Sequence, residues 1–182
     1  MKTLADHILD IAENSVRAGA TLIEIIVEES KKKDIWILTI TDNGCGMDEE
    51  ILKRVTDPFF TSRTTRKVGL GLALLQQNTK VAGGRLTINS KPGEGTFLQA
   101  EFRLSHFDRP PVGNIGETLY LLLLRYTKGE LIYRHTCEKG TFSISSSELR
   151  ETLGEVSFQH TEVRDGIIEL IKTNLDEIGA TK

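Results

Sequence analysis

Cysteine, proline and tryptophan are scarce in this 182-residue chain: two, four and one. Cys45 and Cys137 lie far apart and form no Cys-x-x-Cys pair, which excludes a disulfide-stapled scaffold and fits a reduced, cytoplasmic setting. No run approaches the roughly 18 apolar residues of a membrane helix; the longest, Thr118 to Leu124, is far too short. Asp6 and Asp10 stand where a secretory leader would carry its apolar core. A basic excess is missing as well. Residues 1–104 carry 14 basic and 14 acidic side chains, and residues 105–182 carry 9 and 12, for a net charge of −3. Without a basic face, neither nucleic acid nor a membrane is the expected partner. Internal repeats and low-complexity tracts are also lacking.

What is present is a regular alternation of helical and strand patterns. Leu4, Ile8, Ile11, Ala12, Ser15 and Val16 recur at helical spacing, so residues 3–18 form an amphipathic helix, closed by Gly19. Residues 21–27 and 35–41 are β-branched and read as strands around a charged turn over 28–34. A helix follows Met47, favoured by Asp48, Glu49 and Glu50 at its start. Residues 57–68 read as a polar, basic loop. Residues 70–82 read as a helix broken by Gly83 and Gly84, and strands 85–90 and 96–103 flank a Lys-Pro-Gly-Glu-Gly turn. Pro110, Pro111, Gly113 and Gly116 give 105–116 a linker-like composition. Beyond it come a helix over 117–127, strands near 130–136 and 140–144, a short helix opened by the capping box Ser145-x-x-Glu148, and a helix over 161–178. The division expected is a domain over 1–104, a linker over 105–116 and a small α+β unit over 117–182 without evident chemistry of its own.

Four segments of the first part carry chemistry. Asp10 and Asn14 are four apart and share one helix face. A carboxylate can orient or deprotonate a nucleophile, and an amide oxygen can ligate Mg²⁺. The plainer reading is a solvated face with a Glu13–Arg17 pair. Asp42-Asn43-Gly44-Cys45-Gly46-Met47 follows a strand; its glycines admit a flat ligand and its Asp can accept from an exocyclic amine, or it is simply a turn. Cys45 reads as a small buried thiol. In Asp57-Pro58-Phe59-Phe60-Thr61-Ser62-Arg63, aromatic anchors precede the cations Arg63, Arg66 and Lys67, which suit phosphate, or this is a staple beside a solvated loop. Gly69-Leu70-Gly71-Leu72 opens a helix whose N–H groups could hold phosphate, though a lone Gly-x-Gly is weak.

In order and spacing these segments resemble the N, G1, F and G2 boxes of the GHKL superfamily: DNA gyrase, a heat-shock chaperone, histidine kinases and MutL. The DPFFTSR and GLGLAL pair most resembles a sensor histidine kinase catalytic domain; Glu13-Asn14-Ser15, Ala18-Gly19-Ala20-Thr21 and DNGCGM resemble MutL. The resemblance covers residues 3–104. It implies an α+β, two-layer α/β sandwich of the Bergerat type, a mixed sheet covered by helices, with a small α+β C-terminal extension. It implies ATP and Mg²⁺ as cofactors. Asn14 resembles the Mg²⁺ ligand, and Asp10 stands where ATP-hydrolysing relatives place a general base. Asp42 resembles the adenine-reading carboxylate. Gly44, Gly46 and Met47 shape the base pocket, and Gly93, Gly95 and Thr96 match the closing Gly-x-Gly-Thr segment. Arg63 and Lys67 belong to the lid and Gly69 and Gly71 cradle the phosphates, with Phe60, Thr61, Leu70 and Leu72 as further nucleotide-binding residues.

The chain departs from that pattern in places. Asp10 is one methylene shorter than glutamate, the lid is short, and none of His7, His106, His135 and His160 sits in a phosphoacceptor context. His7 is expected to be structural. Asp108-Arg109-Pro110-Pro111 and the helix after it resemble stand-alone ATP-binding proteins encoded beside iron-only hydrogenases, which implies a regulatory partner. The expected function is a kinase or phosphotransferase acting on a separate protein partner in signal transduction, of the two-component type. The alternatives are an ATP-gated, anti-sigma-like binding switch and a MutL-like ATPase. The reading admits a homodimer.

Overall fold

The computed structural model describes residues 1–57, 70–154 and 156–181. Its elements are α1 (Leu4–Arg17), β1 (Leu22–Ser30), β2 (Ile35–Asp42), α2 (Glu49–Arg54), α3 (Gly71–Val81), β3 (Arg85–Lys91), β4 (Gly95–Arg103), α4 (Ile115–Arg125), β5 (Glu130–Cys137), β6 (Gly140–Ser145), α5 (Ser146–Leu153) and α6 (Thr161–Glu177). The strands form one mixed six-stranded sheet in the order β3-β4-β2-β1-β5-β6. β1 and β5 run parallel, and the other neighbours antiparallel.

Strict alternation along the strands decides which face is covered. Ile23, Ile25 and Val27 of β1, Trp36, Leu38 and Ile40 of β2, and Leu98, Ala100 and Phe102 of β4 are buried under helices. The intervening positions, such as Glu24, Thr39 and Gln99, are half-exposed on the other face. This is the two-layer sandwich expected. Trp36 is fully buried and meets Phe102 edge-on, with ring centroids 5.8 Å apart.

α1 is set by its ends. Thr3 and Asp6 close a capping box at its start. At its end Gly19 (φ +75°) lets the Gly19 N–H reach Val16 O and the Ala20 N–H reach Ser15 O, a Schellman closure. The same closure ends α3 at Gly83, and the Ser145 capping box opens α5 as expected.

The expected boundary after residue 104 does not interrupt the core. β5 pairs with β1 over Leu22–Glu28, next to the sheet centre. The linker-like segment is packed, not loose: the Leu4 and Ala5 N–H groups donate to Pro111 O (2.9 Å) and Val112 O (2.8 Å). Tyr126 Oη donates to Ala20 O at 2.8 Å, and Leu119 and Leu122 of α4 are buried in the same cluster as Leu4 and Ile8. β1 also runs further than its charge suggested. The turn is confined to 31–34, and Glu29 continues the buried face of the strand. Its carboxylate can be buried because His135, 106 residues away, supplies a hydrogen bond.

Trp36, the sole tryptophan, therefore reports on packing contributed by the C-terminal third. Leu122→Ala should lower the unfolding free energy read by Trp36 fluorescence by about 2–5 kcal/mol. The fluorescence and far-UV dichroism transitions should coincide. An unchanged Trp36 midpoint in this variant would mean that two independent units unfold separately.

Candidate functional site

Three of the four motif segments, with the Gly-x-Gly-Thr turn, meet at one end of the sheet. Asp42 ends β2 on the helix-covered face, two residues beyond buried Ile40. Its Oδ2 accepts from Ser15 Oγ at 2.6 Å and its Oδ1 from the Gly44 N–H at 2.9 Å. A half-buried carboxylate needs such donors to satisfy its oxygens. Ser15 is buried on α1, one residue past Asn14, so this bond also ties α1 to the sheet end.

The turn after Asp42 is held by its own atoms. Asn43 Oδ1 accepts from the Thr21 and Leu22 N–H groups, both at 2.8 Å, and its Nδ2 donates to Thr21 Oγ1. The Cys45 N–H donates to Ala18 O at 2.9 Å, and its carbonyl accepts from the Gly93 N–H at 2.8 Å. The Cys45 thiol is exposed, contrary to the buried thiol expected. Two glycines answer to close approach. A Cβ on Gly46, at φ +66°, would lie 1.9 Å from Lys91 O, and one on Gly95, at φ +92°, would lie 1.9 Å from Asp42 O. A Cβ on Gly44 would come within 2.9 Å of Ala18 Cβ.

Thr96 faces Asp42 across the β2–β4 register, and its hydroxyl lies 3.1 Å from Ser90 Oγ. Ser90 accepts from the Met47 N–H at 2.8 Å and donates to Gly95 O at 2.7 Å. The sequence pattern assigns neither Ser15 nor Ser90 a role at the site. A hydroxyl that acts by bridging segments far apart in the chain leaves no local pattern. Ser15 carried one signal, its place beside Asn14 on a helix face.

The phosphate end is built from α1 and α3. Leu70 is the N-cap of α3 and makes no side-chain cap. The first N–H groups of an 11-residue helix are thereby left to bind an anion. Gly71 abuts Asp10: a Cβ there would stand 1.9 Å from Asp10 Oδ2. The missing side chain thus admits the candidate base to the positive end of α3. Leu72 packs on the core and Leu70 is exposed. His7 is buried, and its Nε2 pairs with Asn78 Nδ2 at 3.0 Å, fastening α1 to α3, the structural role expected. Burial holds the His7 imidazole below its ordinary pKa, aided by the N-terminal ammonium and opposed by Asp10 and Asp6. Asn14 Oδ1 accepts from the Arg17 guanidinium, which leaves its second lone pair for Mg²⁺. Phe60, Thr61, Arg63, Lys67 and Gly69 lie outside the described residues.

These features fit an adenine nucleotide. A carboxylate acceptor is oriented at a glycine-walled turn, an uncapped helix start lies beside a second carboxylate, and Asn14 with phosphate oxygens offers the hard donors Mg²⁺ prefers. No helix among the described residues is long and apolar enough to cross a membrane.

Known proteins agree with the geometry. A putative sensor protein of Shewanella frigidimarina is 38% identical over 103 residues, covering 56% of this chain and 16% of its own. The sensor protein kinase FleS of Pseudomonas aeruginosa is 37% identical over 94 residues, 52% of this chain and 23% of its own. The histidine-protein kinase AtoS of Escherichia coli is 36% identical over 93 residues, 50% of this chain and 15% of its own. The chain thus spans less than a quarter of each of these relatives. Among solved structures, the N-terminal domain of a DNA repair protein is 16% identical, with a TM-score of 0.55 over 99% of this chain and 57% of that one. That likeness is one of fold, and it takes in the C-terminal third. The model of the histidine kinase-, DNA gyrase B- and HSP90-like ATPases matches residues 2–106, more than half of the chain. With the site geometry, that match makes this chain a member of the histidine kinase-, DNA gyrase B- and HSP90-like ATPase family, carrying a histidine-kinase-like ATP-binding domain.

Proposed function

We propose that the chain binds Mg-ATP at the α1–β2–α3 end of the sheet and transfers its γ-phosphate to a separate protein in the cytoplasm. The observation that carries this reading is Asp42, fixed by Ser15 and the Gly44 N–H at a turn walled by Gly44, Gly46 and Gly95. Asp42 would accept from the adenine amine, with Met47 and Thr96 beside the base. The α3 start, with Gly69, Gly71 and the lid cations Arg63 and Lys67, would hold the phosphates. Asn14 would supply the protein oxygen to Mg²⁺. Asp10, in contact with the α3 start, would orient or deprotonate the attacking hydroxyl. The motif pair and the kinase relatives support the phosphotransfer class. Phe60 and Thr61 are assigned to the nucleotide site on the motif alone.

A second reading rests on how α1 is held. Its start is bonded to Pro111 and Val112, and Glu13 is paired with Arg125 of α4. A nucleotide that shifts α1 therefore pulls on the C-terminal third. This favours an ATP-gated binding switch whose partner docks on that third. Incubation with γ-labelled Mg-ATP, with and without partner, separates the readings. Label on a protein supports phosphotransfer, whereas ATP retained unchanged while partner affinity changes supports the switch.

Asp42→Asn should weaken ATP binding at least about tenfold, since a mismatched buried donor costs on the order of 1–3 kcal/mol. Ser15→Ala should weaken it less, because the Gly44 N–H remains. Calorimetry that finds both affinities unchanged removes Asp42 from base recognition.

Asp10→Asn should retain most ATP affinity and lose turnover by ~10²–10⁴-fold. Gly71→Ala tests the same contact from the other side. Only the end of the Asp10 side chain must move, and alanine favours a helix, so stability should stay within about 1 kcal/mol of the parent. Turnover should nonetheless fall as the carboxylate is pushed aside. Normal turnover in both variants would show that Asp10 is not the base.

A further inference from the structure

At the opposite end of β1 lies a cluster that the nucleotide site does not use. Glu29 of β1 and His135 and Cys137 of β5 all project from the helix-covered face. All three are buried, and one donor atom from each lies within 4.8 Å of the other two. The β1–β5 register sets Val27 beside His135, so Glu29 and Cys137 come level two residues on. The cluster is six residues along β1 from Ile23, which pairs with Asp42, or about 20 Å at the rise of a strand.

We infer that Glu29, His135 and Cys137 form a binding site for a divalent metal ion of the zinc class.

Donor chemistry selects the ion. A thiolate, an imidazole and a carboxylate suit Zn²⁺ or Co²⁺, while Mg²⁺ and Ca²⁺ require all-oxygen shells. Size is compatible too. Metal–ligand bonds of about 2.0–2.3 Å imply ligand separations of roughly 3.3–3.7 Å in a tetrahedral site. These fall between the 2.7 Å Glu29–His135 contact and the 4.8 Å limit of the cluster.

Two supporting contacts match what metal ligands need behind them. A ligating imidazole usually gives its second ring nitrogen to a fixed partner. His135 Nδ1 already lies 2.7 Å from Tyr133 Oη, which leaves Nε2, on the Glu29 side, for the metal. On ligation the imidazole proton resides on Nδ1 and is donated to Tyr133 Oη. The carboxylate has its own support in Thr181, whose N–H and hydroxyl both donate to Glu29.

Charge balance completes the case. A bound dication replaces the thiol proton, which passes to solvent. The thiolate and the Glu29 carboxylate then cancel the two positive charges. A net-neutral complex is what a buried site tolerates. Since Thr181 grips one ligand, the metal would clip the chain's last residues to β1 and β5.

The test is a Co²⁺ titration of the chelator-dialysed chain, read by its optical spectrum, with metal analysis for stoichiometry. About one Co²⁺ per chain should bind, with a sulfur-to-cobalt charge-transfer band in the near ultraviolet. Zn²⁺ should displace it and raise the unfolding midpoint. Cys137→Ser should abolish the charge-transfer band, and Cys137→Ala serves if the serine variant misfolds by Trp36 fluorescence. Cys45→Ser should keep the band. Tyr133→Phe should weaken Co²⁺ binding about 10–100-fold. The inference is overturned if no stoichiometric ion binds, if the band survives loss of the Cys137 sulfur, or if it vanishes in Cys45→Ser.

Discussion

A carboxylate at the end of a core strand must be given donors, and at Asp42 that demand organises everything around it. Ser15 meets half of it and the Gly44 N–H the other half. Ser15 can do so only if α1 lies across the sheet end, and Gly44 only if the chain turns sharply after β2. The turn in turn presses the Gly46 and Gly95 backbones against Lys91 and Asp42, where no side chain fits. One polar requirement therefore places a helix, a turn and a hairpin around a single acceptor.

The second organising element is β1, the strand that joins the two parts of the sheet. It pairs with β2 on one side and with the distant β5 on the other. Its two ends serve different chemistry. One end lies level with Asp42, and the other carries Glu29, held by His135 and Thr181. Burial raises the Glu29 carboxyl, but the hydrogen bonds from His135 and Thr181 outweigh this and keep it below its ordinary range. The candidate nucleotide end and the C-terminal residues are thus connected through one strand and through α1.

Much of this was legible in one dimension. Helix and strand periodicities, the glycine stops at Gly19 and Gly83 and the capping box at Ser145 are local signals, and the elements lie within a few residues of where those signals fall. Asp10, Asp42 and Gly71 could be singled out because family motifs are themselves short and ordered. Two readings failed for one reason. Cys45 looked like a buried small residue, but its backbone bonds to Ala18 and Gly93 and its thiol is exposed. Glu29 looked like part of a charged turn because its partner His135 is 106 residues away. The prolines and glycines of 105–116 likewise carry no record of the Leu4 and Ala5 donors they meet.

Pattern along the chain was therefore enough for the elements, the family resemblance and the candidate nucleotide residues, because period, cap and motif are all set by neighbours within a few positions. It could not supply the parallel β1–β5 pairing, the Ser15–Asp42 and Asp10–Gly71 contacts, or the Glu29–His135–Cys137 cluster. Those depend on which distant segments are brought side by side. That choice is made by burying one shared core and satisfying its polar groups, and it leaves no local trace.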